Sequence, residues 1–278
     1  MGFKTVFMMV GAGQDDAEID RAVAICEALG AHLSLLVLGI APPPPASPYG
    51  VVSNDIWAGD IRQGQEEATE RAKVIEARLA TTNLSALVSA QYIDRGTVAT
   101  LAARFARYAD LTLVTPKAEG YESMQSWVMD GALFESGRPI LMLPTGPVSF
   151  PASKRVMICW DASVEAAKAV RDAIGVMKEA EEVHAVLVDP VPSFEGHGPE
   201  PGADLAAYLR RHGIEAVVHR LPREGKETGE MLRRTATDLD ADLMVMGGFG
   251  HSRLRERIFG GTTTSMMKGI VVPALMAH

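Results

Sequence analysis

The sequence predicts an α/β protein built as two tandem doubly wound domains, each a five-stranded, mostly parallel sheet with helices on both faces. Three observations carry this expectation. The chain has 278 residues, about twice the usual domain of roughly 100–150 residues. Its strand candidates are continuous apolar runs rather than alternating ones, the pattern of strands covered on both faces. Its two halves also align with each other.

In the first half the apolar runs fall at residues 6–10, 33–38, 111–115 and 140–143. A turn at Asp15 and Asp16 leads from the first run into a helix, and an amphipathic helix is expected over 65–79. Between the second run and that helix lies a loop, 41–50, with Pro42, Pro43, Pro44 and Pro45 in succession. Such a run reads as a stiff connector. The second half repeats the scheme with strands at 156–160, 185–188, 214–218, 243–246 and 271–276, and a helix at 229–239. The segment from Phe3, FKTVFMMVGAGQDD, lies over that from Ser153, SKRVMICWDAS, and ADLTLVTP from Ala109 lies over ADLMVMGG from Ala241. The Pro/Gly/Ser-rich stretch 144–153 separates the copies, giving domains 1–148 and 149–278.

Composition narrows the function classes. With 47% hydrophobic and 22% charged residues the chain can bury a core, which excludes disordered, collagen-like and coiled-coil classes. Lys and Arg number 27 against 35 Asp and Glu, a net charge of −8. That balance disfavours a sequence-independent grip on nucleic acid, and an anionic ligand would need a local positive site. Cys26 and Cys159 each stand in an apolar stretch and read as buried thiols, too few for a structural zinc site. The N-terminal apolar run is too short for a signal-peptide core, and no run approaches the roughly 18 residues of a membrane span. A cytoplasmic protein is the expectation.

Ligands of open parallel sheets bind beyond the carboxyl ends of the strands, where strand order reverses. After the fourth strand of the second half the sequence reads MGGFGHSRLRERIFGGTTTSMMKG from Met246. Gly247 and Gly250 permit a tight turn, and Gly260, Gly261, Thr262, Thr263 and Thr264 open a helix whose backbone N–H groups could hold a phosphate. Between them His251, Arg253, Arg255 and Arg257 face only Glu256, so the acidic chain carries one basic segment. The plainer alternative is a turn, a threonine cap and solvated arginines.

With these residues the chain resembles a tandem universal stress protein, once per half. The family's nucleotide-binding pattern is Gly-x2-Gly-x9-Gly-Ser/Thr, and Gly247, Gly250 and Gly260 meet its spacing. The residue after Gly260 is Gly261, so either the hydroxyl contact is lost or Gly261 and Thr262 take the Gly-Ser/Thr role. The resemblance implies a Rossmann-like fold of the adenine nucleotide alpha hydrolase-like kind. It implies a stress-response protein binding ATP, with Mg2+, or a related adenine nucleotide, with at most slow hydrolysis and no catalytic set. Asp161 would sit near ribose and adenine, Val188 would offer backbone groups to the adenine, and Met246 would pack beside the ribose. Asp161 could equally cap the following helix. Trp160 could stack on the base or fill the pocket. Members commonly pair through their last strands, which implies an intramolecular pseudo-dimer here and leaves a homodimer of whole chains open. Members lacking the full pattern give the alternative, an interaction scaffold without nucleotide.

The first half lacks these features: Gly11 stands where Asp161 does, and the stretch from Thr115 has no Gly-x2-Gly. Other nucleotide motifs fail. Asp16 occupies the third glycine position of a dinucleotide fingerprint begun by Gly11 and Gly13, and no P-loop or Ser-Gly-Gly loop is present. His184, His212 and His219 read as structural, and His197 between Glu195 and Glu200 offers at most a weak metal site. No resident metal is expected.

Overall fold

The computed structural model describes residues 2–42, 54–118, 120–121, 123–194, 196–248 and 269–278, without the side chains of 54–57. The chain divides into two compact units, Phe3–Ser136 and Gly137–His278.

The first unit contains β1 (Thr5–Gly11), α1 (Ala17–Leu29), β2 (His32–Ala41), α2 (Asn54–Leu79), β3 (Ala86–Asp94), α3 (Val98–Ala106), β4 (Leu111–Val114) and α4 (Met124–Glu135). Its strands run parallel in the order β3-β2-β1-β4. From Val6 to Gly11 every residue of β1 is buried, as a central strand covered on both faces requires. The chain leaves α1 through Gly30, whose φ of 60° is the left-handed cap that glycine adopts without strain.

Two elements differ from the sequence expectation. Helix α2 begins well before residue 65 and carries Gly64 against β3, where a Cβ would strike the ring of Tyr92. Strand β3 corresponds to no apolar run in the sequence. It is an edge strand whose residues are half-exposed or exposed, so nothing demands continuous hydrophobicity.

The second unit contains β5 (Ile140–Met142), β6 (Arg155–Cys159), α5 (Val164–Met177), β7 (Glu182–Val188), α6 (Ala203–Arg211), β8 (Ala216–Leu221), α7 (Thr228–Asp238), β9 (Leu243–Gly247) and β10 (Ala274–Ala277). Its strand order is β5-β10-β9-β6-β7-β8, all parallel except β5, which runs antiparallel to β10 with Leu141 opposite Leu275. The compact division therefore precedes the sequence boundary at 148/149, because β5 pairs with the last strand of the second copy. Strand β10 starts later than residue 271, since Pro273 has no N–H to give the ladder; its carbonyl accepts from the Met244 N–H at 2.8 Å.

The two units resemble each other in side-chain roles as well as in sequence pattern. In the first unit the Asp110 carboxylate accepts from the N–H groups of Lys4 and Thr5 at 2.8 and 3.0 Å, fastening the start of β1. In the second, Asp242 accepts from Lys154 and Arg155 at 2.8 and 3.1 Å, fastening the start of β6. Both belong to the repeated Ala-Asp-Leu before the fourth strand. Among the described residues no helix is long and apolar enough to cross a membrane.

Candidate functional site at the carboxyl ends of β6, β7 and β9

Strand β6 is flanked by β7 on one side and β9 on the other. The chain reaches β7 directly through α5 but reaches β9 only after β8 and α7, so the order reverses between β6 and β9. That reversal opens the crevice where doubly wound sheets take ligands.

Asp161 follows β6 at this edge and is exposed. It does not cap α5: Ser163 does, its Oγ accepting from the Ala166 N–H at 3.1 Å. Asp161 supports that cap, its Oδ1 accepting from the Ser163 N–H at 3.0 Å and from the Ser163 Oγ at 2.6 Å. Ala162, between them, takes a φ of 60°, which a short side chain tolerates in a tight turn.

Val188 closes β7. The Trp160 N–H donates to the Val186 carbonyl and the Asp189 N–H to the Leu221 carbonyl, at 2.9 and 2.8 Å. By strand alternation the N–H and C=O of Val188 point to the β6 side. Pairing of β6 with β7 ends at Cys159 and Val186, so those two groups face the crevice beyond it.

Met246 lies in β9 between Cys159 of β6 and Met276 of β10 and is 4% exposed, its side chain within the core. Gly247 follows, and a Cβ there would lie 2.6 Å from the Ala166 backbone nitrogen. The absence of a side chain lets the end of β9 press against the first turn of α5. The Gly248 N–H donates to the Ala277 carbonyl at 2.9 Å, and the His278 Nδ1 meets the Gly248 carbonyl at 2.9 Å. Lys168 of α5 in turn donates to the His278 carbonyl at 2.6 Å. This anchor of the loop start carries no motif in the sequence. Gly250, Gly260, Gly261, Thr262 and Thr263, with the basic segment, lie outside the described residues.

Trp160 lines a groove of about 500 Å3 on the side of α5 and α6, with Val164, Ala167, Leu205 and Tyr208. Cys159 is buried beside the site, and burial, with a smaller contribution from the Asp161 charge, pushes its thiol up to about 12. Burial does the same to Cys26, also to about 12. Neither is a nucleophile at neutral pH. Among the described residues no group of three or more His, Cys, Asp or Glu side chains is placed to hold a metal ion. Of the loop offered as a weak metal site, Glu195 lies outside the described residues.

The residues present suit the sugar and base end of a nucleotide. An exposed carboxylate can accept from hydroxyls, and a backbone donor and acceptor face one crevice.

The fold recurs in solved structures along the length of the chain. A universal stress protein from Archaeoglobus fulgidus DSM 4304 superposes with a TM-score of 0.62 at 18% identity, over 98% of this chain and 95% of that one. A chain from Pseudomonas aeruginosa UCBPP-PA14, provisionally assigned to the same family, gives 0.55 at 16% identity, over 99% and 92%. A functionally unknown protein from Pseudomonas aeruginosa PAO1 gives 0.53 at 15%, over 99% and 92%. No curated protein shows significant similarity to the chain. In sequence, residues 152–278 match the model of the universal stress protein family.

Proposed function

We propose that this protein is a stress-response regulator whose C-terminal unit binds ATP, with Mg2+, or a related adenine nucleotide. The observation that carries the reading is the convergence of Asp161, the Val188 backbone and Gly247 at the reversal of strand order, within the matched domain. In this reading Asp161 accepts from ribose hydroxyls, Val188 meets the adenine edge, and the segment from Gly250 to Thr263 takes the phosphates with its basic residues. The nucleotide acts as a bound signal rather than a substrate, with at most slow hydrolysis. The first half serves as a scaffold, and the antiparallel β5 and β10 pair supports an intramolecular pseudo-dimer.

A second reading, an interaction scaffold without nucleotide, is favoured by Gly261 after Gly260 and by the two bonds that Asp161 Oδ1 already accepts from Ser163. One experiment separates the two. Nucleotide released by denaturing the purified chain is run on an anion-exchange column, and the emptied, refolded chain is melted with and without ATP and Mg2+. An adenine nucleotide peak together with a raised melting temperature supports binding; absence of both leaves the scaffold.

A further inference from the structure

We propose that the N-terminal unit contains a second ligand crevice, one shaped for a planar aromatic ring bearing a hydrogen-bond acceptor and held closed by the chain's own Tyr121. This inference does not depend on nucleotide binding in the C-terminal unit.

Strand β1 lies between β2 and β4, and the chain reaches β4 only after β3 and α3, so strand order reverses there. The carboxyl end of β1 is therefore the place where this unit would take a ligand. Two glycines line it. Gly11 ends the strand, and Gly13 follows in the turn before α1. A Cβ on Gly11 would lie 2.1 Å from the nearest ring carbon of Tyr121, and one on Gly13 would lie 3.4 Å from its hydroxyl. The phenol oxygen accepts from the Gly13 N–H at 3.0 Å. The Gln14 Oε1 holds the Gly11 N–H at 2.6 Å, and Gln14 is 9% exposed, so the floor of the crevice is fixed by a buried amide.

Tyr121 arrives from the segment after β4, the position from which the second unit sends its glycine-rich loop. The Tyr121 N–H donates to the Ala118 carbonyl at 3.0 Å, and its carbonyl accepts from the Met124 N–H at 2.9 Å, ahead of α4. The ring thus occupies the crevice as a tethered ligand would: a flat apolar body against bare backbone, with one acceptor satisfied by one N–H. Its partial exposure gives it a way out. Gly11 has a clear meaning in this light. A side chain at the Asp161 position would collide with the ring, so the plug and the glycine require each other.

The test is chemical replacement of the ring. Tyr121→Gly should lower the melting temperature by several degrees, and p-cresol, the side chain as a free molecule, should recover half or more of the loss saturably. Wild type should show no such shift. Tyr121→Phe, which keeps the ring and loses the acceptor, should need no p-cresol. Gly11→Ala provides a second arm that does not rely on Tyr121→Gly folding. It should expel the ring and make Tyr121 react faster with tetranitromethane than in wild type, as read by peptide mapping. A folded Tyr121→Gly chain indifferent to p-cresol, or equal nitration of Tyr121 in wild type and Gly11→Ala, overturns the proposal.

Discussion

Residues beside the site are set by local bonding that a sequence conveys only in part. Asp161 is a visible acid at a strand end, yet its role in bracing Ser163 depends on Ala162 taking a positive φ, which no residue type announces. His184 and His219 carry a testable consequence of the same kind. They lie 35 positions apart and meet across β7 and β8, Nδ1 to Nε2 at 3.1 Å, while the Nε2 of His184 faces Glu182 at 3.2 Å. With His184 donating to the carboxylate, its other nitrogen accepts from His219. Burial, then the neighbouring His184, lowers the pKa of His219 below the ordinary 6.5. The folded chain thus prefers neutral His219, and the unfolded chain binds more protons below that value. The stabilisation is complete above 6.5 and is lost as pH falls through the window beneath it. The melting temperature should drop more steeply between about pH 7 and about pH 5.5 in wild type than in His219→Gln. Parallel slopes by calorimetry would remove His219 from the acid response.

Elements were legible where burial is two-sided. Strands β1, β2, β4, β6, β7 and β9 are mostly or wholly buried, and each appears as an apolar run in the sequence. Strands β3 and β8 lie at sheet edges; the first has no apolar run to mark it, and the second runs from Ala216 to Leu221 rather than 214–218, because Arg220 and His219 are tolerable only where one face meets water. Close contact between elements was less legible still, since a glycine in a helix does not reveal what it touches. Gly131 in α4 would, with a Cβ, overlap the Ala99 carbonyl oxygen of α3, and Gly247 would meet the Ala166 nitrogen at 2.6 Å. In both cases the obstacle is backbone, which cannot rotate away. Gly131→Ala should therefore destabilise the chain by about 2–3 kcal/mol, despite alanine's better helix propensity. Gly137→Ala is the contrast, because its Cβ would meet nothing within 4 Å and only its φ of 75° resists the change. Urea unfolding decides it; a Gly131→Ala chain as stable as wild type would mean that α3 and α4 have room to separate.

At the scale of the whole molecule, the two units differ at the place where their strand order reverses. The pattern of small and apolar residues recurs, as does the carboxylate of Asp110 and Asp242, because both serve the fold. The crevice residues differ: Gly11 lies against Tyr121 in one unit, and Asp161 follows β6 in the other. A net charge of −8 also leaves little to attract phosphates except the segment from His251 to Arg257, which only the second copy possesses. Nucleotide binding should accordingly saturate at one molecule per chain by isothermal titration. Asp161→Ala should weaken it by roughly tenfold, the equivalent of one charge-assisted hydrogen bond. Replacing Gly250 with Trp should abolish it, while Gly120→Trp, in the first unit's corresponding segment, should leave it unchanged. Two molecules per chain, or equal loss from the Gly250 and Gly120 substitutions, would mean that the crevice of the first unit takes the nucleotide as well.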